Sequence, residues 1–353
     1  MINYRNILKL NTITKSSLIG LTSSISSVSS ISKLPSSYSY QSKNVINNKN
    51  SNTTYLNSNN KISNHHHHHH HHRSYSFIGH GNKDPNQKIS LPNIKYIIAV
   101  SSAKGGVGKS TLSVNLALAL NAMPGISVGI LDADVFGPSL PIMMNLRNQQ
   151  PAIEETTKRM IPLQNYGIKC MSMGFLVEED DAMIWRGPMV MGALEKLLGS
   201  TAWGNLDVLV VDLPPGTGDA ILTMCQRVPL SGAVIISTPQ DVALADVIRG
   251  VKMFNKVNIP ILGVVENMSH FECPNCNHSS NIFGKEGAVK TARDLGLELL
   301  GEVPINIDIR ECADKGTPIT ISQPESKQAT IYKSIAKKML EQLLKLKQQQ
   351  QQK

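Results

Sequence analysis

The segment that most restricts the fold of this chain is Ala103-Lys104-Gly105-Gly106-Val107-Gly108-Lys109-Ser110. A glycine run closing on Lys-Ser, after an apolar β-rich stretch and before a helical one, is a phosphate-binding loop. Gly105, Gly106, Val107 and Gly108 let the backbone curl until its N–H groups converge on phosphate oxygens. The helix that follows adds the positive end of its dipole. Such a loop belongs in an open α/β sheet whose ligands sit at the carboxyl ends of the strands. In that setting Lys109 reaches the terminal phosphates of ATP and the Ser110 hydroxyl ligates Mg²⁺. Thr111, next along the helix, lies within reach of the α-phosphate. Ala103 in place of the usual first glycine is a mild departure.

The body downstream has the matching pattern. Continuous apolar runs predict strands at Tyr96–Ser101, Ser127–Leu131, Val208–Val211, Ala233–Ser237, Ile261–Val265 and near Leu299–Val303. Runs without polar alternation suit strands covered on both faces by helices. Helices are expected at Lys109–Asn121, Met189–Leu198, Asp219–Arg227, Asp241–Asn255, Glu286–Leu295 and near the C-terminus. The expected fold is α/β, a mostly parallel sheet flanked by helices with right-handed crossovers.

Charge is unevenly distributed. The formal net charge is +9, yet nine basic residues and no acidic one precede Asp84, which leaves 26 of each sign in the remainder. A neutral body argues against a nucleic-acid surface built from bulk charge. The first 75 residues are rich in Ser and Asn and lack acid. This is the composition of a mitochondrial transit peptide, and Met1–Leu10 reads as a short basic amphipathic helix. Arg73-Ser74-Tyr75-Ser76 resembles a matrix-protease cleavage site, so the expected location is the mitochondrial matrix. The eight histidines from His65 to His72 and the Gln348–Gln352 run read as repeat expansions. The expected layout is a leader over 1–75, a linker over 76–93, the ATPase domain over 94–325, a helix over 326–347 and a poly-Gln tail over 348–353.

Two strand ends carry carboxylates. Ile130-Leu131-Asp132-Ala133-Asp134 runs into a loop with Gly137-Pro138-Ser139, and Val208–Val211 runs into Asp212-Leu213-Pro214-Pro215-Gly216. Asp212 is the Walker B carboxylate expected to hold a metal-bound water, with the Gly216 N–H placed to sense a γ-phosphate. No residue announces an arginine finger, so the expected ATPase is slow.

Of five cysteines only Cys273 and Cys276 stand at ligand spacing. Cys-x-x-Cys puts two sulfurs on one tight turn, close enough to share a metal or cluster. Three readings stay open at this point: a structural zinc completed by His270 and His278, a redox pair, or half of a four-thiolate site completed by a second chain.

Lys104, a second lysine early in the loop, resembles the signature of the deviant Walker A ATPases of SIMIBI type, a group that includes partition and septum-site ATPases. That resemblance implies a homodimer in which Lys104 reaches the nucleotide of the other subunit. It also implies that Asp134 orients the attacking water, that Asp132 supports Mg²⁺ and loop geometry, and that Asn267 reads the adenine edge. With Trp185-Arg186-Gly187-Pro188, Asp212–Asp219, Ser237-Thr238-Pro239-Gln240-Asp241, Glu266–Ser269 and Ile309–Ile319 added, the chain resembles the Mrp/ApbC group of P-loop iron–sulfur carriers. Within that group it is most similar to the mitochondrial nucleotide-binding-protein-like branch. The resemblance implies a [4Fe–4S] cluster held across the dimer by Cys273 and Cys276 of each chain. It further implies weak, ATP-dependent delivery of that cluster to apo iron–sulfur proteins, with complex I subunits as recipients. The alternative is a MinD/ParA-like switch governing membrane or partner association, with zinc on the cysteine pair. Its one support is a basic amphipathic stripe with Ile331, Ile335, Met339, Leu340, Leu343 and Leu344 at its apolar positions, a pattern that more often packs a terminal helix onto its own domain.

Overall fold

The computed structural model describes residues 87–176 and 187–352. The leader, the histidine run, the cleavage-site residues and Trp185-Arg186 lie outside the described residues. In chain order the first elements are β1 (Ile94–Ser101), α1 (Lys109–Asn121), β2 (Val128–Asp132), α2 (Leu140–Met143), β3 (Leu163–Asn165), β4 (Ile168–Ser172), α3 (Gly187–Gly199), β5 (Leu206–Asp212) and α4 (Asp219–Arg227). They are followed by β6 (Gly232–Ser237), α5 (Asp241–Lys256), β7 (Ile261–Glu272), β8 (Ser279–Ser280), α6 (Gly287–Asp294), β9 (Leu299–Ile305), α7 (Ile307–Asp314), α8 (Ile319–Ser322) and α9 (Lys327–Gln351).

The strands lie in the order β3-β4-β2-β5-β1-β6-β7-β8, with β9 also paired to β7. Every pairing is parallel except the β3/β4 and β7/β8 hairpins. Successive side chains of a strand point to opposite faces, so an apolar run fills both. Ile98, Val100, Ile130, Val208 and Val210 enter the core on one face, together with α1 and α9. Ile97, Ala99, Leu131, Leu209 and Val211 enter the core on the other, with α3, α4 and α5.

Helix α1 is buried on nearly all sides because it lies between the sheet and α9. Its one buried amide, Asn115, is satisfied: Nδ2 donates to the Thr111 carbonyl at 2.9 Å, and Oδ1 accepts from Thr320 Oγ1 at 3.1 Å. Helix α9 starts at Ser326, whose hydroxyl accepts from Ala329 N at 3.1 Å. It buries Ala329, Tyr332, Ile335, Ala336, Met339 and Leu343, a stripe at helical spacing. Gly301 on β9 permits the close approach, since a Cβ there would meet Ile335 Cγ1 at 2.7 Å. The basic amphipathic stripe is therefore turned inward on its own domain rather than toward a membrane, and no described helix is long and apolar enough to cross one.

Most predicted elements are present with near-matching ends. Those not anticipated are short or carry weak patterns. β3 and β4 meet at Tyr166-Gly167, both at positive φ, a two-residue hairpin turn. Helices α2, α7 and α8 have four to eight residues, too few for a period to register. The largest difference is β7, expected to end at Val265 but continuing to Glu272. Met268 adopts φ 56°, and the pairing with β9 shifts between Asn267 and Phe271. Past this bulge the pairing with β9 resumes at Phe271 and Ile305, while Phe271 and Glu272 also pair with β8 on the other edge.

Because Ile335 is fully buried between β9 and α1, Ile335→Ala is expected to destabilise the chain by about 2–5 kcal/mol in urea unfolding. Exposed Lys337→Glu should change stability by no more than about 0.5 kcal/mol.

Candidate functional site

The phosphate loop joins the carboxyl end of β1 to α1. Gly106 and Gly108 have φ of 80° and 85°, values that return the chain so that α1 starts at Lys109. Ser102 Oγ donates to the Lys104 carbonyl at 2.8 Å and braces the turn. A Cβ at Gly105 or Gly106 would meet nothing within 4 Å, so the concave side of the loop is open. That cradle, at the positive end of a 13-residue helix, fits a phosphate group.

Lys109 is only 7% exposed, and a buried ammonium needs a counter-charge. Asp212 Oδ1 supplies it at 2.8 Å, and Asp134 Oδ2 stands 4.0 Å away. The Ser113 hydroxyl donates to the same Asp212 oxygen at 2.8 Å. Ser110 Oγ lies 3.4 Å from Lys109 Nζ. The loop lysine, its serine and both strand-end carboxylates thus converge on one point.

Asp132 has a different character. It is register-paired with Asp212 on the neighbouring strand and almost fully buried. Its Oδ1 accepts from Asp134 N at 3.0 Å, and its Oδ2 accepts from Ser139 N, Leu140 N and Ser172 Oγ at 3.1 to 3.2 Å. Burial first, and then the Asp212 charge, push its carboxyl up to about 7, against the pull of the Leu140 and Asp134 N–H groups. Both its oxygens are committed to shaping the loop that carries Asp134. The Gly216 N–H donates to the Ser102 carbonyl at 2.8 Å, which pins the second switch loop to the phosphate loop.

Lys104 turns to its own chain. Its Nζ lies 3.3 Å from Asp246 Oδ2 on α5, and Arg249 holds the other Asp246 oxygen at 2.6 Å. Asp246 is 8% exposed and Lys104 41%, so the pair sits at the protein surface with its acid inside. Neither Asp246 nor Ser113 was singled out by sequence. Asp246 gives no local signal, whereas Ser113, one turn beyond Lys109 in an apolar helix, is a polar residue with no solvent to face.

Asn267 meets the phosphate loop directly. Its Nδ2 donates to the Val107 carbonyl at 2.8 Å, and a Cβ at Gly108 would stand 2.2 Å from that nitrogen. Five residues after the Met268 bulge comes Cys273, at the mouth of the β7/β8 hairpin. The turn is closed by Cys273 N to the His278 carbonyl at 3.0 Å and Asn277 N to the Cys273 carbonyl at 2.9 Å, with Asn277 at φ 56°. The N–H groups of Asn275 and Cys276, and then the Cys276 thiol, draw the Cys273 thiol below its ordinary range. Cys276 is exposed. Burial pushes Cys170 and Cys225 up to about 12, which marks them as structural thiols.

Among the described residues no group of three His, Cys, Asp or Glu gathers to hold a metal. His270 is engaged with Ser269 Oγ at 3.0 Å and Glu272 Oε1 at 3.4 Å, and Glu272 pairs with Lys327 at the start of α9.

Comparison with known proteins agrees with this geometry. The family model described as ParA, NUBPL iron-transfer P-loop NTPase, matches residues 93–340. The iron-sulfur cluster transfer protein NUBPL of Dictyostelium discoideum is 65% identical over 266 residues, covering 75% of this chain and 82% of that protein. The Arabidopsis thaliana iron-sulfur protein required for NADH dehydrogenase, mitochondrial, is 54% identical over 274 residues, covering 78% and 87%. Among solved structures, the nucleotide-binding protein of Archaeoglobus fulgidus in complex with ADP superposes with a TM-score of 0.59 at 40% identity, covering 67% of this chain and 91% of that one.

The folded Asp132 carboxyl titrates above its unfolded value of about 4, so the native chain holds an extra proton between that value and about 7. Stability should therefore fall as pH rises through this window. Asp132→Asn, which cannot ionise, is expected to lack that slope when urea midpoints are measured from about pH 4 to about pH 8.

Proposed function

The chain belongs to the NUBPL-type iron-transfer P-loop NTPases of the Mrp/ApbC kind, and from that premise we propose that it is an ATP-dependent carrier of [4Fe–4S] clusters to mitochondrial apo-proteins. The observation that carries this reading is the bond from Asn267 to the Val107 carbonyl, 2.8 Å long. It joins the phosphate loop to the strand that ends at the cysteine hairpin, so nucleotide and cargo share one element.

In the proposed cycle Lys109 leaves Asp212 for the terminal phosphates of ATP, and the loop N–H groups take the remaining phosphate oxygens. Ser110 Oγ and the freed Asp212 would hold Mg²⁺, which neutralises phosphate charge when bound. Asp134, already facing Lys109 across 4.0 Å, orients the attacking water. Asp132 holds the Asp134 loop in shape. Asn267, beside Gly108, reads the adenine edge with an amide that both donates and accepts. Lys104 leaves Asp246 and reaches the nucleotide of a second chain, which closes a two-fold dimer. That dimer brings Cys273 and Cys276 of each chain together as four thiolates for the cluster, the ligand set this cargo requires. Loop N–H groups aimed at Cys273 favour its thiolate form.

Several features support the cargo and destination. The relatives are named for iron–sulfur transfer and, in Arabidopsis thaliana, for NADH dehydrogenase. An acid-free, Ser- and Asn-rich leader over 1–75 suits import into the mitochondrial matrix. Complex I subunits are the recipients the family points to. The 94–325 body with the helix from 326 onward would be the working unit.

Anaerobic reconstitution with iron and sulfide should give a [4Fe–4S] Mössbauer signature at one cluster for each pair of chains. Cys273→Ser/Cys276→Ser should abolish it while leaving ATP hydrolysis within about twofold of cluster-free wild type, since the hairpin lies outside the phosphate site. Tight zinc uptake with no cluster would sink the carrier reading. Lys104→Ala should remain monomeric with ATP in light-scattering chromatography. Lys109→Ala should load cluster but transfer it to an apo-protein at least about tenfold more slowly. Transfer at the wild-type rate would remove ATP from the cycle.

A further inference from the structure

Helix α1 is buried along most of its length, and Ser113, four residues after Lys109, lies fully inside it. A serine in a helix interior ordinarily turns its hydroxyl back to the carbonyl one turn earlier and does nothing else. Here that carbonyl belongs to Lys109 and lies 3.0 Å from Ser113 Oγ. A second acceptor is closer: Asp212 Oδ1, on the neighbouring sheet, at 2.8 Å. The hydroxyl has one hydrogen to give and two acceptors in reach. The Lys109 carbonyl already belongs to the helical ladder, whereas the carboxylate is charged and nearer. Bonds to a charged acceptor are about twice as strong as neutral ones, so the hydrogen goes to Asp212.

This bond sits where the carboxylate has to change partners. Asp212 is 2% exposed, and its Oδ1 receives both the Lys109 ammonium and the Ser113 hydroxyl. Lys109 and Ser113 stand at i and i+4, so one face of α1 presents both donors to a single oxygen. No donor reaches Oδ2 among the described residues. When Lys109 leaves for a phosphate, a carboxylate held by the lysine alone would be free to rotate. Ser113 does not leave with it. Its hydroxyl is fixed to the body of α1 by one short bond, while the lysine head swings on four carbons. The oxygen that Ser113 keeps is Oδ1, and the one left unclaimed is Oδ2.

We infer that Ser113 is a positioning residue for Asp212, holding Oδ1 while Lys109 passes from carboxylate to phosphate and so presenting Oδ2 to the hydration shell of Mg²⁺. Its effect passes through Asp212 and not through a contact with nucleotide. A serine that merely filled space in α1 would be replaced without loss by alanine, the strongest helix former. The inference deepens the nucleotide site assigned above and rests on that half of the reading. It is independent of the cluster.

The test uses the full chain as wild type, Ser113→Ala, Asp212→Asn and the double variant. The Kd of a fluorescent non-hydrolysable ATP analogue is measured with saturating Mg²⁺ and again with EDTA. The ratio of the two values is the advantage that the metal confers. Ser113→Ala should lower that ratio about tenfold or more, the usual loss when a group that orients a metal's ligand is removed. Its Kd in EDTA should stay within about twofold of wild type, because the phosphate loop is untouched. In the Asp212→Asn background, adding Ser113→Ala should leave the ratio within about twofold. A wild-type ratio in Ser113→Ala overturns the inference. Equal loss with metal and with EDTA also overturns it, since Ser113 would then shape only the loop. So does a second tenfold fall in the double variant, because Ser113 would then act without Asp212. A wild type that gains nothing from Mg²⁺ removes the assigned role of Asp212 and this inference with it. The expected ratios from a chain that takes up no cluster would uphold the role of Ser113 while removing the carrier reading.

Discussion

A lysine buried at the carboxyl edge of a parallel sheet has to be neutralised, and Asp212 does this for Lys109 at 2.8 Å. The rest of the site is arranged around that ion pair. Ser113 shares the same carboxylate oxygen, and Asp134 faces the ammonium from the next strand end. Asp132, buried beside Asp212, is pushed up to about 7 and holds its loop through the Asp134, Ser139 and Leu140 N–H groups, with the Ser172 hydroxyl of β4 as a fourth donor. Removing one partner of a buried pair typically costs about 3–5 kcal/mol. A nucleotide phosphate that takes Lys109 from Asp212 replaces one counter-charge by another, and on the proposed cycle it frees a carboxylate for metal in the same event.

The second constraint is that the strand touching the phosphate loop is also the strand that ends at the cysteines. Asn267 is fixed on Val107, Met268 turns the chain at φ 56°, and the hairpin with Cys273 follows. Glu266 Oε2 accepts from Ala288 N in the first turn of α6 and fastens the far end of the cysteine-bearing loop to the same strand. On the proposed cycle a shift of the phosphate loop is carried to the hairpin by covalent geometry and by the hydrogen bonds Asn267–Val107 and Glu266–Ala288. Lys104 adds a third contact in the resting chain through Asp246, which the proposed dimer would have to break.

How much of this was legible in the sequence depends on contact range. Helices α1 and α4 begin and end where the pattern put them, because a glycine loop before Lys109 and acid at Asp219 mark their starts. The convergence of Lys109 and Asp212, 103 residues apart, was also readable, since a strand-end carboxylate after a phosphate loop has one place to go in this fold. The β7 extension was not, because it turns on a methionine in a left-handed conformation that no local preference announces. The Lys104–Asp246 pair and the Glu266 cap were equally hidden: each joins residues on different elements, and an acid on a helix or strand carries no mark of its partner. The amphipathic stripe of α9 was visible, but which surface it covers was decided by the space left at Gly301.

The central claim is that nucleotide and cluster sites are coupled through β7, and linkage makes that claim measurable from either side. The direct measurement is the Kd of a non-hydrolysable ATP analogue by anaerobic calorimetry, on cluster-loaded chain and on the same chain stripped of cluster. Coupling predicts values that differ by about fivefold or more, the lower end of typical allosteric coupling. Equal Kd values, with cluster occupancy verified before and after titration, would contradict the account and leave two independent sites on one fold.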